Sequence, residues 1–225
     1  MIAWNRRWIA PLVRWSIRRD LRTHLAGVWV RGTPPRGAAV LAPNHASWWD
    51  GYVLVELGWS ARLPAQVMMT DAQLARFPFL RLVGAVGQRD VRPVRRGLRS
   101  GGWAVVFPSG EIRHPAQVGP LQPGAAWLAG KERAALVPVA VRVVLRGAQW
   151  PEAFVRVGDP CAGPELEAAL EHVLAALEAD LRAAPAGLPP AGYRLLMPGR
   201  ESRHDRVDLA SRVLARLAGM RARDS

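Results

Sequence analysis

The chain has 225 residues, of which 50% are hydrophobic and 22% are charged, a composition that supports a buried core and excludes wholesale disorder. Its 31 basic residues outnumber its 18 acidic residues, the formal net charge is +13, and Lys131 is the only lysine. An arginine excess of this size indicates a polyanionic partner, such as nucleic acid, an anionic membrane surface or a phosphorylated substrate.

Cysteine content and hydropathy narrow the classes of protein further. Cys161 is the only cysteine, which excludes an internal disulfide and a zinc site built from several cysteines. No run of about 18 uncharged apolar residues predicts a transmembrane helix, and the arginine-rich start lacks the apolar region of a signal peptide. We therefore expect a cytosolic protein, and we expect any membrane contact to be peripheral.

Residues 1–30 are predicted to form an amphipathic N-terminal arm. Over residues 4–25, apolar side chains recur at helical spacing and arginines occupy most of the remaining surface, a pattern typical of a helix with two unlike faces. The arm also contains four tryptophans, the residue type that sits at the headgroup level of a bilayer. The same periodicity fits a helix that packs on the core and leaves a basic face in solvent.

Residues 31–160 are predicted to form an α/β core, a mixed sheet flanked by helices. Apolar runs predict strands over residues 38–42, 103–107, 136–145 and 153–157, and a helix is predicted over 47–57,. Residues 161–225 are predicted to form C-terminal helices that pack on or beside the core. These helices cover residues 164–182 and 203–220, with a linker rich in proline, glycine and alanine over 183–192,.

The segment from Asn44 to Asp50 contains the most informative group of polar residues. His45 lies at the predicted strand-to-helix junction, and Asp50 lies in the first turn of the predicted helix. A carboxylate at this spacing can fold back on the imidazole, hold one tautomer and produce a base for an alcohol proton. The alternative is structural: Ser47 and Asp50 have the spacing of a helix-capping pair, with His45 as an ordinary loop residue.

Four segments, in order along the chain, resemble the 1-acyl-sn-glycerol-3-phosphate acyltransferase family. The first is Asn44-His45 followed by Asp50, similar to the family signature Asn-His-x-x-x-x-Asp. The others are the segment that ends in Gln88-Arg89, the segment Phe107-Pro108-Ser109-Gly110-Glu111, and Val137-Pro138-Val139-Ala140. The resemblance spans about residues 30–145, and each segment is short, so its specificity comes from the order of all four.

The resemblance implies an activity and assigns roles to residues. The family transfers a fatty acyl group from a thioester on coenzyme A or acyl carrier protein to a glycerolipid hydroxyl, lysophosphatidic acid being its acceptor. By position, His45 would be the general base, Asp50 would orient it, and Arg89 would bind the acceptor phosphate. The partners implied are the acyl thioester, a lipid acceptor and an anionic membrane surface at the cytoplasmic face. Because a thioester is already activated, we expect no metal and no cofactor beyond the acyl donor.

The third segment departs from the family pattern, which is Phe-Pro-Glu-Gly-Thr-Arg. Ser109 replaces the glutamate, Glu111 and Ile112 follow Gly110, and Arg113 comes one position late. We expect Ser109, Gly110, Glu111 and Arg113 to bind substrate through an altered loop. The departure also leaves open an acceptor hydroxyl on a different lipid or glycolipid. In the second segment, Gln88 replaces the usual acidic residue.

Two other functions remain alternatives at the level of sequence. Ser47 or Ser109 could form a hydrolase triad with His45 and Asp50, although neither serine lies in a Gly-x-Ser-x-Gly turn. A non-catalytic basic protein that binds membranes or nucleic acid would also explain the charge. No zinc-finger spacing or basic heptad region is evident, so we expect no nucleic acid partner. The seven arginines over residues 76–99 have two interpretations. They form a solvated helix face, or they form a site that binds lipid, coenzyme phosphates or an acidic carrier protein.

Overall fold

The computed structural model describes residues 2–114, 117–201, 213, 214 and 216–218, with side chains from residue 9 onward. The helices are α1 (Ile2–His24), α2 (Asp50–Ser60), α3 (Asp71–Arg76), α4 (Arg92–Arg99), α5 (Gly124–Glu132) and α6 (Leu166–Ala183). The strands are β1 (Gly27–Arg31), β2 (Ala39–Pro43), β3 (Ala65–Met69), β4 (Ala85–Gly87), β5 (Trp103–Val105), β6 (Ala135–Val144), β7 (Glu152–Val157) and β8 (Arg194–Pro198).

The eight strands form a single mixed sheet in the order β4-β3-β5-β2-β6-β7-β1-β8. Strands β4, β3, β5, β2 and β6 are parallel, as are β7 and β1. The pairs β6–β7 and β1–β8 are antiparallel. The predicted α/β class with a mixed sheet is therefore confirmed.

Helices cover both faces of the sheet, as the apolar central strands require. Successive residues of a strand point to opposite faces: Leu41 of β2 belongs to the core cluster that contains α1 and α2 residues, whereas Val40 packs with α4 and α5. Helix α6 forms a third cluster against β6 and β7, in which Phe154 is fully buried. The sheet consequently lies between layers of helices that pack on its two faces.

Helix α1 packs on the core through only part of the apolar stripe that its sequence predicts. Ile17, Leu21 and Leu25, which follows the helix, are buried in the core, whereas Leu12 and Trp15 are exposed. None of the helices in the described ranges is both long and apolar enough to cross a bilayer.

Several boundaries differ from the sequence predictions. Helix α2 begins at Asp50 rather than at residue 47, and the strand predicted over 103–107 ends at Val105. Strands β1, β3, β4 and β8 were not predicted. Because β1 lies in the predicted arm and β8 in the predicted C-terminal part, the sheet includes residues from all three parts of the chain. The helix predicted over 203–220 falls almost entirely outside the described residues.

Candidate active site

His45 and Asp50 meet in the loop between β2 and α2. Asn44 anchors the start of this loop, because its buried side chain donates to the carbonyl of Val141 at 3.0 Å and accepts from the Val141 N–H at 2.7 Å. The Nδ1 atom of His45 lies 3.0 Å from Oδ2 of Asp50, and the Asp50 side chain is fully buried. An ionised carboxylate can only accept hydrogen bonds, so Nδ1 carries the proton and the lone pair of the neutral imidazole is on Nε2.

The same carboxylate also organises the loop backbone. Oδ2 of Asp50 accepts from the N–H groups of Ala46 at 2.7 Å and Ser47 at 2.8 Å, and Oδ1 accepts from the Ser47 hydroxyl at 2.6 Å. Ser47 and Asp50 do pair as their spacing predicts, and the Ser47 hydroxyl oxygen also accepts from the Trp49 N–H at 3.2 Å, although the helix itself begins only after Trp49. Asp50 therefore holds the loop and the imidazole together in addition to pairing with Ser47.

Two residues of the third segment hold His45 from other directions. The ring of Phe107 stacks on the imidazole, with centroids 4.1 Å apart and planes inclined by 29°. The N–H of Arg113 donates to the His45 carbonyl at 2.8 Å. The loop between β5 and α5 is therefore in direct contact with the loop between β2 and α2, as expected for two parallel strands that lie side by side,.

The loop after β5 is fixed by its own polar contacts. The buried Ser109 donates from its hydroxyl to the carbonyl of Glu111 at 2.9 Å. Gly110 has a φ of +72° and packs against the side chain of Gln122, a left-handed conformation that favours glycine. Nη2 of Arg113 lies 2.7 Å from Oε1 of Glu111.

A cavity of about 630 Å³ opens beside His45 at the carboxyl edge of the sheet. One part of its wall comes from α1, α2, β3 and the 3-10 helix Pro78–Val83, and includes Ile17, Tyr52, Val55, Val67, Leu80 and Val83. Another part comes from the chain after β5 and from α5, and includes Val106, Phe107, Ala125, Trp127 and Leu128. His45, Gly110 and Glu111 also line it. A mostly apolar cleft of this size is typical of a small-molecule or lipid-tail site.

The structure brings six of the seven predicted site residues together and leaves the seventh at the surface. Asp50, Ser109, Glu111 and Arg113 are linked to His45 or to one another by the contacts above. The N–H of Gly110 donates to the carbonyl of Phe107, whose ring stacks on His45. The side chain of Arg89 is 87% exposed and lies 3.7 Å from Asp71, and its neighbour Gln88 lines the cavity instead. The role of Arg89 in phosphate binding stays a prediction.

Phe107, Tyr52 and Gln122 also line the cavity, and their sequence positions predict no role for them. Phe107 belongs to the third segment, but an aromatic residue at the end of a strand is more often part of the core, so no sequence signal separated it. In the described part of the chain, no three His, Cys, Asp or Glu side chains are grouped to hold a metal ion.

The two serines of the hydrolase alternative are directed away from a catalytic role. The hydroxyl hydrogen of Ser47 goes to Asp50 and that of Ser109 goes to the carbonyl of Glu111. A serine nucleophile needs its hydroxyl hydrogen bonded to the imidazole base. The geometry therefore favours a histidine that acts on an external hydroxyl.

Comparison with known proteins agrees with this geometry. Residues 27–142, more than half of the chain, match the family described as Acyltransferase. No curated protein matches the chain. Among solved structures, the fold is similar to that of PlsC from Thermotoga maritima, a 1-acyl-sn-glycerophosphate (LPA) acyltransferase, with a TM-score of 0.56 and 18% sequence identity over 82% of this chain and 85% of that chain. By its family match over residues 27–142, this chain belongs to the acyltransferase family.

Proposed function

We propose that the chain transfers a fatty acyl group from an acyl thioester, acyl-CoA or acyl carrier protein, to a hydroxyl of a glycerophospholipid precursor such as lysophosphatidic acid. The observation that carries the proposal is the buried Asp50 carboxylate on Nδ1 of His45, beside a largely apolar cavity. PlsC, whose fold is similar, is an enzyme of lysophosphatidic acid acylation.

In the proposed reaction, His45 is the general base. Its Nε2 atom takes the proton of the acceptor hydroxyl while the oxygen attacks the thioester carbonyl. A C–O bond forms, the C–S bond breaks, and the departing thiolate recovers the proton from the imidazolium. Asp50 stabilises the imidazolium between these two transfers and keeps the ring in one orientation. No covalent acyl-enzyme and no metal takes part in these steps.

The apolar cavity walls account for the lipid part of the substrates. Each methylene group moved from water into such a site contributes about 0.8 kcal/mol to binding. A long acyl chain therefore obtains its affinity from side chains such as Val55, Val67 and Leu80, and its reactive end can lie beside His45.

The direct test is turnover by the His45→Ala variant. Purified protein is incubated with long-chain acyl-CoA or acyl carrier protein and lysophosphatidic acid, and thiol release is measured. We expect His45→Ala to lose about 100-fold to 10,000-fold in rate. The exposed His172 on α6 supplies a matched control, since His172→Ala should keep the wild-type rate. Equal rates for wild type and His45→Ala with every acceptor would overturn the proposal.

We also propose that the protein binds peripherally to an anionic membrane surface at the cytoplasmic face. On α1, the exposed Leu12 and Trp15 lie on the face that carries arginines. At the cavity, the lining residues Trp48, Ile112 and Trp127 are about half exposed. Exposed aromatic residues beside cations fit the headgroup region of an anionic leaflet.

Sedimentation with vesicles tests this membrane contact. Trp15→Ser and Trp48→Ser should each reduce binding to vesicles of phosphatidylglycerol and phosphatidylcholine, whereas Leu188→Ser, which removes an exposed side chain away from the cavity and from α1, should not. Wild-type protein that stays in the supernatant with these vesicles would contradict the proposal.

A further inference from the structure

The charges of the residues that line the cavity determine which acceptor head groups can bind there. Among the described residues that line the cavity, Glu111 is the only one with a formal charge apart from a protonated His45. The other polar lining groups are the neutral side chains of Tyr52, Thr70, Gln73, Gln88 and Gln122. No arginine or lysine of the described chain belongs to this wall.

Arg113, the nearest cation along the loop, is already engaged. Its Nη2 atom lies 2.7 Å from Oε1 of Glu111, and its side chain is only 29% exposed. The guanidinium packs closely against Gly119, so that a Cβ at this glycine would lie only 2.9 Å from Nη1 of Arg113. Arg113 therefore pairs with Glu111 but is not itself part of the cavity wall, where only the carboxylate of the pair is presented.

The position of Glu111 is fixed on both sides. Its carbonyl accepts from the Ser109 hydroxyl at 2.9 Å, and its carboxylate is bound by Arg113. Two residues further along, the N–H of Arg113 donates to the His45 carbonyl. A carboxylate that is 65% exposed is thus held in the cavity wall on the loop that contacts the catalytic base.

We propose that Glu111 determines acceptor specificity, favouring head groups that present hydroxyl or ammonium donors and disfavouring a phosphate monoester. The proposal rests on the acyl transfer proposed above, and it ranks lysophosphatidic acid as an acceptor below lipids with hydroxyl or ammonium head groups. A carboxylate accepts hydrogen bonds from hydroxyl and ammonium groups. A phosphate monoester has a charge between −1 and −2 near neutral pH, so the same carboxylate repels it.

The test compares three acceptors with the same acyl chain in wild type and in the isosteric Glu111→Gln variant. Monoacylglycerol offers hydroxyls, lysophosphatidylethanolamine offers an ammonium group, and lysophosphatidic acid offers a phosphate monoester. We expect Glu111→Gln to raise kcat/KM for lysophosphatidic acid, relative to the other two acceptors, by about tenfold. Glu171→Gln on α6, which removes an exposed carboxylate away from the cavity, should leave these ratios unchanged.

Two results would overturn the role of Glu111. One is an unchanged ratio of the three acceptors in Glu111→Gln. The other is a selective loss of lysophosphatidic acid turnover in that variant, which would mean that Glu111 serves to hold Arg113 for phosphate binding.

Equilibrium binding separates this role from the proposed function. Dissociation constants of the three acceptors are measured on His45→Ala protein, with and without Glu111→Gln, so that no turnover is required. A tenfold shift in relative affinity supports the role of Glu111 even if the wild-type enzyme transfers no acyl group, an outcome that would overturn only the proposed reaction. Turnover by wild type with no shift in either assay would overturn only the role of Glu111.

Discussion

The imidazole Nδ1 of His45 lies 3.0 Å from Oδ2 of Asp50, a carboxylate with no solvent exposure. Because this oxygen also accepts two backbone N–H groups, the pair cannot change geometry without breaking the loop. The proposed base is therefore held in one position by the loop itself, and such preorganisation is the usual source of efficient proton transfer in an active site.

Replacing Asp50 should impair both catalysis and folding. In Asp50→Asn the imidazolium loses its charge partner, and we expect kcat to fall by about 100-fold or more. One acceptor position becomes an N–H₂ donor, so unfolding in urea should show a loss of about 1–3 kcal/mol. Ser47→Ala removes the contacts of the hydroxyl with Oδ1 and with the Trp49 N–H but leaves the contact of Asp50 with His45, and it should keep most of the activity. A wild-type kcat in Asp50→Asn would exclude a role for this carboxylate in the reaction.

Gly110→Ala should alter the loop that contacts His45. The φ of +72° would be strained by about 1–2 kcal/mol with a Cβ present,, and the added Cβ would lie 2.7 Å from the Gln122 amide nitrogen. We expect a lower kcat together with a lower melting temperature. Gly187→Ala provides the comparison, because Gly187 has a φ of +81° with no atom within 4 Å of its added Cβ. That variant should lose stability alone, and equal activities in the two variants would contradict the prediction.

Besides apolar packing, a partly buried ion pair joins α1 to α2. Arg18 donates to both carboxylate oxygens of Glu56, at 2.6 and 2.7 Å, and Glu56 is 2% exposed. This hydrogen-bonded pair raises the pKa of Arg18. Arg18→Ala leaves a buried carboxylate without its main partner and should cost about 1.5–3 kcal/mol in chemical denaturation. For the exposed Arg19, substitution by Ala should change the free energy of unfolding by less than about 0.5 kcal/mol,.

Acid should weaken the contact between α4 and α5. Hydrogen bonds from Arg99 and Arg95 lower the pKa of Glu132 below its ordinary value. Glu132 therefore contributes stability above its unfolded-state pKa, and this contribution is lost as the pH falls through its lower folded-state pKa. We expect Glu132→Gln to melt below wild type at pH 7, and the difference between the two proteins should shrink as the pH falls below the ordinary glutamate pKa of 4.5,. A difference that stays constant as the pH falls would show that the contact does not titrate.

Cys161 should react slowly with alkylating reagents. Burial of the thiol raises its pKa, and the negative charge of the nearby Glu165 raises it further. Little of the nucleophilic thiolate is therefore present at neutral pH. Mass spectrometry after treatment with iodoacetamide should show slower modification than for a free thiol in solution. Rapid modification accompanied by loss of acyl transfer would instead indicate a reactive cysteine at the site.

Strand prediction succeeded where apolar runs were long and failed where the sheet itself stabilises a short segment. The predicted strand over 136–145 is observed as β6, Ala135–Val144. Strand β4 has three residues, and β8 is mostly exposed and ends in Pro198. Such segments have no periodic signal of their own, because their hydrogen bonds and packing come from neighbouring strands. The start of α2 was predicted three residues early because Ser47 and Asp50 pair at the expected spacing, while residues 47–49 form a turn and the helix begins at Asp50.

The sequence by itself determined the α/β class, the family and the pairing of His45 with Asp50. These follow from apolar runs, from the order of short segments and from a spacing of five residues, all of which act locally along the chain. Only the tertiary structure decided that Phe107 and Arg113 contact His45, that Glu111 rather than an arginine lines the cavity, and that Arg89 lies at the surface. The reason is physical, because those contacts join loops at the ends of adjacent parallel strands, and the strand order that makes them neighbours comes from packing of the whole sheet.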